Sequence, residues 1–176
     1  PIQGGPNSTG DRHVIVVDQG TCTAYELFKA YPNADGSWRA DAGAKWALNT
    51  NALRPNGWTS ADAAGLPLLP GLVRYDEVEA GFINHAIRFT SGTINHSYVW
   101  PARHSDGGSS DPNAPPMGTR LRLKASTNIS GYGTQARIVL QALKDYGMIL
   151  ADSGTSLDIG GQGVERGAFL GAQLLV

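Results

Sequence analysis

One cysteine, almost no excess of charge of either sign and no long apolar run set the first limits on this chain. Cys22 has no second cysteine to pair with, so an intramolecular disulfide is excluded, as is a zinc site built from several thiolates. Between Thr21 and Thr23 it reads as a small apolar side chain in a strand rather than a nucleophile. With 14 Lys and Arg against 15 Asp and Glu, and no basic stripe, the chain lacks the cation density that drives nucleic-acid binding. No apolar stretch approaches the roughly 20 residues of a membrane span. Charged residues are scarce at 16%, while 23 glycines and 10 prolines favour many turns between short strands over long, ion-paired helices.

The 176 residues suit one domain. Residues 1–10, PIQGGPNSTG, carry no periodicity and read as a flexible leader or linker; the start without Met suggests that a leader or linker was removed ahead of them or that the chain was trimmed there. Residues 11–176 read as a single β-rich domain. The runs at 13–18 and 22–28 predict two strands joined by a hairpin at Gln19-Gly20-Thr21. Asp35-Gly36 marks a turn before two further strands that span residues 37–48. Ser60 has the chemistry of an N-cap for one helical turn, and residues 74–81 predict a second short helix closed by Gly81. Residues 86–89 and 98–100 read as strands that can pair through the 92–95 turn, and 105–116 as a long surface loop.

After a strand at 121–124, the stripe Ile138, Val139, Ala142, Leu143 and Tyr146 predicts one amphipathic helix over about 134–146, stopped by Gly147. Residues 148–151 continue as a buried strand, and the apolar tail 168–176 reads as a last core strand or a segment that pairs with another copy. Together these elements predict a mainly β fold, a β-sandwich of jelly-roll type with one amphipathic helix and short helical turns.

Chemistry-bearing side chains concentrate between residues 60 and 104. Asp76 and Glu77 are the nearest approach to a carboxylate cluster. Acid/base cleavage of a glycosidic bond needs two convergent carboxyls, and neighbours on a helix diverge by about 100°, so the pair needs a partner from elsewhere. Glu26, on a strand between Tyr25 and Leu27, is the preferred partner; the competing reading makes all three ordinary surface acids. His85 and His104 complete the candidate catalytic set. Arg88, Arg103, Trp100 and Tyr75 are the candidate substrate contacts, through bidentate guanidinium bonds and flat aromatic faces. The histidines show no fixed short spacing, so neither a metal nor another cofactor is assigned.

The ordered segments DRHVIVVD (11–18), TAYEL (23–27), GLPLLPGLVRYDEV (65–78), HAIRFT (85–90), WPARH (100–104), PPMGTRLRLK (115–124) and GMILAD (147–152) resemble a family of uncharacterised secreted bacterial proteins. Some members look joined to immunoglobulin-like or carbohydrate-binding modules, and no reaction is assigned to them. The resemblance implies export to the extracellular space and polysaccharide surroundings, and carries over no catalytic residue.

The resulting expectation is a secreted protein that engages polysaccharide, as a glycoside hydrolase or polysaccharide lyase using carboxylate acid/base chemistry. Two alternatives stand beside it: a non-catalytic carbohydrate-binding module, and a structural or adhesive extracellular subunit that self-associates through the apolar tail.

Overall fold

The computed structural model describes residues 2–161, so the expected strand in the apolar tail lies outside the described residues. The chain folds mainly into strands, as the scarcity of long helical periods implies. Strands β1 (Val14–Asp18), β2 (Thr23–Phe28) and β5 (Ala42–Ala47) form an antiparallel sheet in the order β1-β2-β5. Two short strands, β3 (Tyr31–Pro32) and β4 (Trp38–Arg39), pair across the Asp35-Gly36 turn. Gly36 adopts φ 83°, the left-handed region that such a turn needs. The predicted β1–β2 hairpin forms. Cys22, however, lies in its turn with φ 51° and is exposed, because the turn rather than the strand claims that position.

A 3₁₀ turn (Leu69–Gly71) leads into helix α1 (Tyr75–Ala80), which ends as expected at Gly81 with φ 88°. Strands β6 (Ile87–Ser91), β7 (Arg120–Leu121) and β8 (Met148–Ser153) form the third sheet, with helix α2 (Thr134–Asp145) before β8. Its order is β6-β8-β7, with β6 and β8 parallel and β7 antiparallel to β8. Parallel strands require a crossover connection, and α2 lies on this one. The helix buries Ala142 and Leu143 against Ile83 and Ile87. Tyr146, expected in its apolar stripe, instead caps the helix and is exposed.

Two predicted elements do not form: the first because the Ser60 and Asp62 side chains bond the local backbone in a buried turn, the second because its residues stay exposed. Residues 60–64 form bonded turns rather than a helical turn. Residues 98–100 form no strand: Tyr98, Val99 and Trp100 are all exposed, and only Tyr98 makes a bridge, to Met117. The hairpin expected between residues 88 and 100 is therefore absent, and β6 takes β8 as its neighbour. Among the described residues the strands form three small sheets, one with a parallel pair, in keeping with the mainly β expectation.

The segment 60–72 ties the two larger sheets together. Ala61, Leu68 and Leu72 pack with Ile15 of the first sheet, whereas Ala64 and Leu66 pack with Phe89 and Leu150 of the third. Each of the buried Leu, Ile and Phe side chains among these contributes about 1.5–3 kcal/mol. The N-terminal stretch also docks on this body. Ile2 is buried with Val14 and Ala30, and the Arg12 guanidinium donates to the carbonyls of Pro6, Ser8 and Ala30.

Candidate functional site

Three carboxylate neighbourhoods can be compared. Glu26 on β2 is wholly buried, and its carboxylate accepts hydrogen bonds from Trp46 Nε1 (2.9 Å) and from the backbone N–H groups of Leu68 (2.8 Å) and Leu69 (2.9 Å). It fastens the first sheet to the start of the 3₁₀ turn. Burial raises its pKa, and the three donors oppose that rise.

Glu77 and Asp76 diverge on α1, as helical geometry requires. Asp76 points to solvent, 3.5 Å from Arg74. Glu77 is buried and accepts from the Arg74 guanidinium (2.7 Å) and the Arg74 backbone N–H (3.2 Å), closing the helix start. His85 Nε2 lies 3.0 Å from the same carboxylate, and His85 Nδ1 donates to the Ala86 carbonyl at 2.9 Å. Glu77 and His85 are thus brought together, but with Arg74 already on the carboxylate.

The remaining candidates are scattered. His104 Nδ1 donates to the Ala63 carbonyl at 2.8 Å, Arg103 Nε donates to the Arg54 carbonyl at 2.8 Å, and Trp100 is 75% exposed. Tyr75 lines a separate apolar groove with Val73, Val78 and Val139.

The third neighbourhood is built around Arg88, which the sequence reading placed on substrate. Its side chain is buried within the fold. Arg88 Nε and Nη2 both lie 3.1 Å from Asp62 Oδ2, and Nη2 also lies 3.0 Å from Asp152 Oδ2. One nitrogen therefore bridges two carboxylates, whose facing oxygens are at most about 6 Å apart.

Local sequence sets this geometry. The Asp62 N–H donates to Ser60 Oγ, and Asp62 Oδ1 accepts from the Ala64 N–H at 2.9 Å, a tight side-chain turn that fixes the acid. Gly65 closes this turn with φ 69°, and a Cβ there would lie 2.3 Å from the Trp58 carbonyl oxygen. Asp152 is aimed by a β-bulge. Phe89 pairs with Leu150 but Thr90 pairs with Asp152, leaving Ala151 as the extra residue. Residues paired across neighbouring strands share a face, so the bulge puts Asp152 on the face of Thr90 and of Arg88 two residues earlier. Without it, Asp152 would fall on the opposite face.

Charge in this cluster is unbalanced. Burial pushes the Asp62 carboxyl well above the usual aspartate range, against the pull of Arg88. Asp152 rises to about 6, chiefly through burial and further through repulsion by Asp106 and Asp11, while Arg88 holds it down. One guanidinium cannot neutralise both aspartates, and the pair retains a proton at mildly acidic pH. Behind them His13 is buried and stays neutral, its pKa lowered to about 4 by burial first and by Arg88 second. Its Nδ1 has no hydrogen-bond partner among the described residues.

The cluster opens into a hollow of about 270 Å³ at the seam between the sheets, lined among others by Asp11, Asp41, Asp62, Asp106, Asp152 and Ser153. A second hollow of about 430 Å³, lined by Ser91, Thr93 and Ser109 together with glycine backbone, shares Asp106 and Ser153 with the first. Ser153 Oγ donates to Asp106 Oδ2 at 2.7 Å on that common rim. Among the described residues no three His, Cys, Asp or Glu side chains are arranged to hold a metal ion.

Asp62, Asp106 and Asp152 were missed in the sequence reading because they lie in three distant segments. The one available signal was Arg88 itself, a cation between Ile87 and Phe89 in an apolar strand, which demands buried carboxylates. Neither the family models, nor the curated proteins, nor the solved structures include a match to this chain.

Proposed function

We propose that the protein is a secreted glycan hydrolase whose working groups are Asp152 and Asp106, with Asp62 and Arg88 as positioning residues. The observation that carries this reading is the meeting of the two hollows at Asp106 and Ser153, beside an aspartate whose pKa is raised to about 6. A perturbed carboxyl in a cleft suits general acid catalysis near neutral pH. In the proposed reaction, protonated Asp152 gives its proton to the glycosidic oxygen, and the bond from that oxygen to the anomeric carbon breaks with its electron pair on oxygen. Water adds to the anomeric carbon, and its proton passes to the Asp106 carboxylate. Export rests on the resemblance to secreted bacterial proteins.

Incubation with a panel of plant, fungal and bacterial glycans tests this reading. Product release that Asp152→Asn and Asp106→Asn abolish, and that Asp76→Asn leaves intact, supports it. No product from any glycan, or turnover unchanged in Asp152→Asn, contradicts it.

A second reading, glycan binding without turnover, draws on the exposed side chain of Trp100 (75%) and on Trp58 (55%), over whose ring the Arg54 guanidinium lies. It predicts saturable binding that Trp100→Ala weakens and Asp152→Asn does not.

A further inference from the structure

A groove of about 270 Å³ runs between α1 and α2 and shares no lining residue with the two hollows of the acid cluster. Val73, Tyr75 and Val78 line it from the side of α1, Ala136 and Val139 from α2, and Gly161 completes the lining. The three valines are half-buried and pack on the apolar cluster of Ile83, Ile87, Ala142 and Leu143. One flank of that core therefore opens on the groove. Among the described residues its one charged lining group, Arg74, is held by Asp76 and Glu77, and the Tyr75 hydroxyl donates to Glu79 Oε1 at 3.4 Å. The groove is thus built for apolar side chains rather than for an ion. Its volume falls below the roughly 300–1,000 Å³ of sites that enclose a small molecule.

The described chain ends at this groove. After β8 it turns back along β6, where Ile159 bridges Phe89 in antiparallel sense and the Thr90 N–H donates to the Asp158 carbonyl at 3.0 Å. It then crosses to Val73, whose N–H donates to the Gly160 carbonyl at 3.1 Å, and Gly161 bridges Val73 in parallel sense. Ile159 packs on the same apolar cluster as the groove's valines. Next in the sequence comes the polar stretch QGVERG (162–167), and then AFLGAQLLV (168–176), in which Gln173 is the sole polar side chain. Six residues reach up to about 20 Å, more than the length of about 9 Å that the six residues of α1 span. A segment tethered this closely meets the groove at an effective concentration on the order of millimolar, which a separate chain would have to match.

We propose that the groove between α1 and α2 is the seat of the chain's own apolar segment 168–176, with Phe169, Leu170 and Leu174 among the side chains that cover Val73, Val78 and Val139. The contact forms within one chain. Of the two roles that the sequence leaves open for this segment, it selects packing on its own core over pairing with another copy. The assignment is independent of the glycan reading.

Spin-label NMR on the full chain tests it. The exposed Cys22 is changed to Ser, a nitroxide is attached at Gln173→Cys, and the valine methyl signals are followed. Those of Val73, Val78 and Val139 should lose more intensity than those of Val16 and Val17 in the first sheet, to the same extent at every protein concentration. In a mixture of labelled chains without isotope and isotope-enriched chains without the label, all these signals should keep their intensity. Loss in the mixture gives the groove to a second copy, and no preferential loss in the labelled chain takes the segment out of it; either result overturns the proposal. Melting supplies a second readout. Leu170→Asp should lower the melting temperature by about 4 °C or more, and Val139→Asp should cost less in that background than it does alone. An unchanged melt in Leu170→Asp, or strictly additive effects, would also overturn it.

Discussion

Glu26 and the pair Asp62 and Asp152 solve the same problem, a carboxyl group taken out of water, in opposite ways. Glu26 is surrounded by neutral donors, one indole and two backbone N–H groups, and each has a matching lone pair. Asp62 and Asp152 share a single guanidinium and lie near further acids, so their charge exceeds what the fold supplies to balance it. The first arrangement is closed and joins two parts of the scaffold. The second opens into a hollow and leaves a proton available. Buried carboxyls with all lone pairs matched serve stability; buried carboxyls in excess of their counter-charge are poised for chemistry.

The largest effect should come from removing the shared cation. Arg88→Met leaves two carboxylates uncompensated and should destabilise the fold by about 3–5 kcal/mol in urea unfolding. Adding Asp62→Asn and Asp152→Asn should recover part of that loss, a coupling that independent sites would not show. Next, Glu26→Gln sets an amide N–H against the donors that now face an oxygen, at a cost of about 2 kcal/mol in the same measurement.

Asp152→Asn should act the other way. The folded-state pKa of Asp152, about 6, lies above the ordinary 3.8, so its contribution to stability is fully present below about 3.8 and is lost as pH rises through 6. Removing the charge should therefore stabilise the protein at pH 7 by about 1 kcal/mol, with the difference fading in acid, as expected where a working group is held at the expense of stability. A thermal melt series from pH 4 to 8 checks the sign. The smallest effect belongs to exposed Asp76, where Asp76→Asn should shift stability by less than about 0.5 kcal/mol.

Sequence patterns carried the local elements well and the site poorly, for a common reason. The β1–β2 hairpin, the Asp35-Gly36 turn and the glycine stops at Gly81 and Gly147 are written within a few residues, and each forms. The pairing of β6 with β8 depends on the burial of Phe89 and Leu150 against Ala64 and Leu66, contacts set by tertiary packing across distant segments. Asp152 reaches Arg88 only because Ala151 is accommodated as a bulge, which no local signal announces. Density of polar residue types pointed to 74–104, and that stretch did contribute Arg88. The acids that meet Arg88 come from its flanks and from the far end of the described chain.

The carboxyl titration of Asp152, followed by carbon-detected NMR with Glu26 and Asp62 resolved in the same spectra, tests the central claim most directly. A midpoint near 6 for Asp152, moving toward acid when Asp106 is changed to Asn, is the predicted result. A midpoint in the ordinary range near 3.8, unmoved by that substitution, would contradict it.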